Sequence, residues 1–147
     1  MPSVTRALPD LSAMDSFGKA IAERLTAGDV VTLDGPLGAG KTTLARAILK
    51  ALGHEGEVPS PTYTILERYD LNPLPIVHAD FYRLTNPREV EELGLSEYRE
   101  EAALLAEWPQ RAGGFDEPAR LSVQLEIAEE GRCAIVEGGR DWHGRMP

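Results

Sequence analysis

The run Gly35-Pro36-Leu37-Gly38-Ala39-Gly40-Lys41-Thr42 sets glycines at 35, 38 and 40 ahead of a lysine and a hydroxyl. This is the spacing G-x-x-x-x-G-K-[ST], in which each residue type has a physical task around a polyphosphate. With no Cβ in the way, consecutive backbone N–H groups turn inward onto phosphate oxygens. Lys41 then reaches the β and γ oxygens, and the Thr42 hydroxyl ligates magnesium. A glycine turn that only tightened packing would need neither Lys41 nor Thr42. The run therefore implies binding of ATP with Mg2+.

Magnesium on such a loop also calls for a carboxylate at the end of a neighbouring apolar strand. Asp80 follows Ile76-Val77-His78-Ala79, and Glu107 follows Ala103-Leu104-Leu105-Ala106. In a parallel sheet both project at the carboxyl edge, where open α/β sheets hold their ligands. The residue types do not rank the two, and either acid taken alone also reads as a solvated strand end. His54, His78 and His143 lack the short spacings of a zinc site, and His78 reads as packed on its strand. Trp108, directly after Glu107, reads either as a stacking partner for a base or as core.

These residues need elements to hold them. Met14, Phe17, Ile21 and Leu25 recur at helical spacing after Asp10 or Ser12 as a cap, which predicts a helix over about 12 to 27 closed by Gly28. Val30-Val31-Thr32-Leu33 predicts the strand that enters the glycine loop, and Leu44, Ile48 and Leu52 predict the helix that leaves it. Residues 53 to 63 read as loop, 63 to 69 and 76 to 80 as strands, and Asn86 with Pro87 and Glu89 as the start of a helix running to about Leu93. Ala103 to Glu107 is a further strand. Leu121 to Ile127 and Cys133 to Val136 form a closing antiparallel hairpin around Glu130-Gly131, and the residues after Gly138 are expected to fray.

A chain of 147 residues has room for one hydrophobic core, so residues 1 to 147 read as a single domain. The charge of -9 argues against holding nucleic acid unaided, since such proteins carry excess Lys and Arg, and any RNA contact is expected through a partner. No apolar run approaches a bilayer span and the first residues lack a signal core, which makes a cytoplasmic protein without membrane contact the expectation. Cys133, the lone cysteine, excludes an internal disulfide and reads as a small buried residue on a strand.

Together, the glycine loop extended by Thr43, Ser60-Pro61-Thr62-Tyr63-Thr64, His78-Ala79-Asp80-Phe81-Tyr82-Arg83-Leu84 and Glu107-Trp108-Pro109 resemble the bacterial TsaE family, the P-loop ATPases of tRNA threonylcarbamoyladenosine biosynthesis. The resemblance runs from about Leu8 to Gly138. A P-loop alone is generic, and it is the combination in this order that is specific. It implies an α/β, P-loop NTPase-like three-layer fold with a mixed sheet. It also implies a Mg-dependent ATPase stimulated by two protein partners of the TsaB and TsaD type, which carry the tRNA chemistry while hydrolysis resets the complex. By the same resemblance Lys41 and Thr42 serve phosphate and magnesium, Glu107 completes the metal site, and Asp80 is an acid required for activity. Ser60 and Thr62 belong to a switch-like loop near the γ-phosphate. Base or ribose contacts fall to Asp10 or Leu11, to Gln110 or Arg111, and to Arg132.

Two other readings compete. The glycine pattern also suits a small-molecule kinase, but such enzymes close an arginine-bearing helical lid, and the late region here reads as a hairpin. A nucleotide-gated scaffold, in which binding alone controls assembly, shares every motif with the ATPase and separates from it only by whether turnover matters.

Overall fold

The computed structural model describes residues 3–56, 58 and 66–147, and for Glu91 and Glu92 the backbone alone. The strands are β1 (Ser3–Leu8), β2 (Val30–Asp34), β3 (Leu66–Tyr69), β4 (Ile76–Asp80), β5 (Ala103–Glu107), β6 (Arg120–Ile127) and β7 (Arg132–Gly138). The helices are α1 (Leu11–Ala22), α2 (Lys41–Ala51), α3 (Glu89–Glu92) and α4 (Leu95–Tyr98), with 3-10 turns at Pro109–Ala112 and Arg140–Trp142. Ser60 and Thr62, with the rest of 59 to 65, lie outside the described residues.

One mixed sheet runs in the order β1-β7-β6-β2-β5-β4-β3. Its centre, β6-β2-β5-β4, is parallel, and β1, β7 and β3 join antiparallel. The two innermost strands have parallel neighbours on both sides and helices or loops over both faces. That explains why β2 and β5 read as continuous apolar runs, whereas β6 alternates Leu121, Val123 and Leu125 inward with exposed Gln124 and Glu126. Alternate residues feed separate cores. Val31, Leu33, Leu105 and Ile76 pack under α1 and α2, through Phe17, Ile21, Leu44 and Ile48. Val30, Val77 and Leu104 face Phe81, Leu84 and Leu95 on the other side. This is the three-layer arrangement expected, and each fully buried Leu or Ile contributes roughly 1.5–3 kcal/mol to it. No helix among the described residues is long and apolar enough to cross a membrane.

The structure departs from expectation in four places. Helix α1, capped by Asp10 Oδ1 on the Ala13 N–H at 2.8 Å, stops at Ala22 rather than about residue 27. The Asp29 carboxylate takes the Thr26 N–H at 2.8 Å, and the intervening turn tightens to i to i+3 bonds such as Arg24 N–H to Ile21 O at 3.0 Å. Helix α3 lies within the segment expected after Asn86 and ends next to Leu93, but Gly94, at φ 70°, is followed by a second short helix, α4, that was not foreseen. Before α1 lies an unforeseen edge strand, β1, in register with β7 from Ser3 opposite Glu137 to Leu8 opposite Arg132. Finally, the tail does not fray. Backbone bonds from Gly139 to Arg120 (2.8 Å) and from Asp141 to Pro118 (3.0 Å) fold it back, and Trp142 is completely buried. Cys133 lies on β7 as read, but only half-buried.

Candidate functional site

The parallel register brings the site residues to one edge. Leu33, two residues before the glycine loop, stands opposite Glu107, and Glu107 stands opposite Asp80. Three strand ends therefore converge where the loop turns into α2. Gly35 has φ 141° with its Cα against the Leu125 carbonyl, so that a Cβ there would clash with backbone. Gly38, at φ 82°, has open space where its Cβ would be. Helix α2 begins after Gly40 with no side-chain cap on its first N–H groups, and an uncapped N-terminus of this kind is suited to an anion.

Lys41 is 6 % exposed and folds back over its own loop. Its Nζ donates to Gly35 O at 2.5 Å and Pro36 O at 3.1 Å and sits 4.1 Å from the centre of the Trp108 ring. Burial lowers its pKa from the ordinary lysine value, against the opposing pull of Glu107, Asp34 and Asp80. Trp108 is thus at the phosphate end of the site, next to the ammonium rather than beside the cavity described below. It holds a left-handed backbone, φ 54°, uncommon for a bulky residue and rarer before proline, and its outer face meets Tyr82 at 5.0 Å.

Behind the lysine lies a buried polar chain. The Thr42 hydroxyl donates to Glu107, 3.0 Å from Oε1 and 3.3 Å from Oε2, and Glu107 Oε2 is 2.6 Å from His78 Nε2. Glu107 is 2 % exposed and His78 fully buried, so His78 does more than pack on its strand. The only signal for it in the sequence is the two-residue period of β4, which puts it on the face of Asp80. Asp80 Oδ1 accepts the Tyr82 N–H at 3.0 Å. Asp34, also unmarked by the sequence reading, takes the Gly35 N–H at 2.8 Å. The hydroxyl of Thr42 and the carboxylates of Glu107 and Asp80 are a hard-oxygen set that fits a magnesium ion sharing phosphate oxygens.

Burial raises the Asp80 pKa above the ordinary carboxylate value; Glu107 adds to this, and the Tyr82 N–H, His78 and Lys41 oppose it. A carboxyl raised on folding contributes stability that is fully present below its unfolded pKa and lost as pH rises through the folded one. In the nucleotide-free and metal-free chain, Asp80→Asn should therefore match the parent in acid and exceed its denaturation midpoint increasingly as pH rises above the ordinary carboxylate range. Parallel midpoints across that rise would contradict the assignment.

On the other side of the loop, Arg132 clamps Gly38 O with Nε at 3.1 Å and Nη2 at 2.9 Å. Beside it opens a cavity of about 240 Å³ lined by Asp10, Leu11, Gly38, Gly40, Thr43 and Arg132, among others. This position, bordered by the loop but not by Lys41, suits a base and ribose. A larger cavity of about 910 Å³ opens on Arg46, Lys50 and His54 at the far end of α2 and includes no residue of the glycine loop, so it is not the one that matters for phosphate. Pro36 and Leu37 are exposed at the loop tip, and Ala39 is buried beneath it. Gln110 is exposed on the turn beyond Trp108, and Arg111 lies 5.2 Å over the Tyr82 ring, so these two stand on the outer side of the site.

Residues 8–134 match the family model described as threonylcarbamoyl adenosine biosynthesis protein TsaE. The chain is 39% identical over 138 residues to the tRNA threonylcarbamoyladenosine biosynthesis protein TsaE of Haemophilus influenzae, covering 90% of this chain and 87% of that protein. It is 42% identical over 136 residues to the protein of the same name from Bacillus subtilis, covering 92% and 79%. The crystal structure of Bacillus subtilis YdiB superposes with a TM-score of 0.77 at 28% identity, over 97% of this chain and 89% of that one.

Proposed function

Because the chain belongs to the TsaE family of threonylcarbamoyl adenosine biosynthesis proteins, we propose that it is a single ATPase domain whose turnover resets a tRNA-modifying complex. The transfer of the threonylcarbamoyl group to adenosine takes place on two protein partners of the TsaB and TsaD type. The tRNA is met only through them, as the charge of -9 favours. This assembly works in the cytoplasm.

The observation that carries the reading is the convergence of Lys41, Thr42, Glu107 and Asp80 at one edge of the sheet. Loop N–H groups hold the phosphates, and Lys41 exchanges the Gly35 and Pro36 carbonyls for phosphate oxygens. Thr42 and Glu107 hold magnesium, which when bound neutralises charge developing on the phosphoryl oxygens. Asp80 orients the attacking water, and Arg132 and Thr43 border the nucleoside. Trp108 caps the phosphate end, and Ser60 and Thr62 serve as the γ-phosphate sensor. Nothing favours the kinase alternative: the late region consists of β6 and β7, built into the sheet, and no helical lid follows them among the described residues.

The test separates turnover from mere binding. Glu107→Ala should leave partner binding intact, measured by co-elution with nucleotide present, and abolish tRNA modification in the reconstituted system. Modification retained at the parental level would favour the nucleotide-gated scaffold instead.

A further inference from the structure

Building on the ATPase reading, we infer that His78 is a positioning residue that fixes the orientation of the Glu107 carboxylate by donating Nε2–H to Oε2, leaving Oε1 as the oxygen shared with Thr42 and magnesium. Three observations carry this. The Nε2 to Oε2 separation is 2.6 Å, the length of a strong charge-assisted bond. His78 is fully buried, and its Nδ1 is a buried atom with no hydrogen-bond partner. Glu107 is itself 2 % exposed, so a rotation of its carboxylate would give up a donor that water cannot replace.

The orphan Nδ1 sets the tautomer. With the proton on Nε2, the cost is an unpaired acceptor lone pair. The reverse arrangement sets two lone pairs against each other at 2.6 Å and buries an N–H with no acceptor among the described residues. The register explains how the bond spans the strands: His78 stands opposite Leu105, so it reaches diagonally to Glu107, two residues on along β5 and on the same face. An imidazole behind a metal-binding carboxylate acts by orientation, and loss of such a partner lowers metal affinity or activity by about 10- to 100-fold.

The test uses geometry-matched variants. The amide nitrogen of glutamine stands as many bonds from Cα as Nε2, whereas that of asparagine matches Nδ1. With a non-hydrolysable ATP analogue, manganese affinity read by electron paramagnetic resonance should fall about 10- to 100-fold in His78→Asn and His78→Leu and be restored in His78→Gln. Analogue affinity without metal should be equal in all of them. In the unaltered, metal-free chain, imidazole nitrogen-15 shifts should place the proton on Nε2 and leave Nδ1 bare, a readout independent of how any variant folds. A proton on Nδ1, or metal affinity unchanged in His78→Leu while the unaltered chain binds tightly, overturns the inference alone. Absence of metal-dependent nucleotide binding by the unaltered chain overturns the ATPase reading beneath it as well.

Discussion

Lys41→Ala is expected to lower partner-stimulated ATP turnover by roughly 100- to 1000-fold, the usual loss when a preorganised donor to developing charge is removed from a water-poor site. The effect is large because the side chain is buried along most of its length and its ammonium is held between its loop and the Trp108 ring. Burial already works against its charge, and the nearby Glu107, Asp34 and Asp80 favour it. A triphosphate would add counter-charge directly at the ammonium, so the differential stabilisation is greatest when nucleotide is present. Lys41→Arg should not rescue turnover, because the planar guanidinium does not fit a pocket shaped around a single nitrogen under an aromatic face. Steady-state hydrolysis with unchanged far-ultraviolet dichroism checks both. Turnover of Lys41→Ala within a few-fold of the parent would mean that the lysine is a packing residue.

Trp142→Ala should destabilise the chain by about 3–5 kcal/mol, as truncation of a fully buried aromatic does. For a protein of this size that lowers the melting temperature by about 10–15 °C. The indole joins the same core as Leu121, Val123 and α1, and its Nε1–H donates to Ala119 O at 2.8 Å. Its other face meets the Arg145 guanidinium at 4.0 Å, and Arg145 in turn grips Asp29 through Nη1 at 2.6 Å and Nη2 at 2.7 Å. Asp29 stands immediately before β2, the strand that enters the glycine loop. The tail thus braces the foot of the strand that presents the phosphate site, and calorimetry of the variant measures that brace. A shift of only a degree or two would show the tail to be dispensable.

The glycine loop was legible because its chemistry is local: Gly35 to Thr42 act as neighbours in the chain, and the strand and helix flanking them follow from adjacent apolar residues. The β6–β7 hairpin was legible for the same reason. What escaped was non-local or masked by exposure. The bond from Thr42 to Glu107 spans 65 positions, and it is the register of β4 on β5 that places Asp80 beside Glu107, and of β5 on β2 that brings Glu107 to the loop. His78 showed only which face of β4 it shares with Asp80, because the partner that defines its role lies 29 residues away. β1 is an edge strand with few buried side chains, so it lacks the alternation that betrays a half-buried strand. Trp142 stands alone among Arg140, Asp141 and His143, with no periodicity to mark it as core. The helix after Asn86 was legible to its end near Leu93, whereas α4 beyond the left-handed Gly94 was not, since four residues are too few to show a helical period.

ATP hydrolysis by the purified chain, alone and then mixed with the two proposed partners at saturating ATP and magnesium, decides whether this domain is a partner-driven ATPase. Lys41→Ala is carried through both arms as the control. The expected result is slow turnover alone and strong stimulation by the partners, lost in Lys41→Ala. Equal rates with and without partners, at intact nucleotide binding, would contradict the proposed function and return the chain to a search for a phosphoryl acceptor.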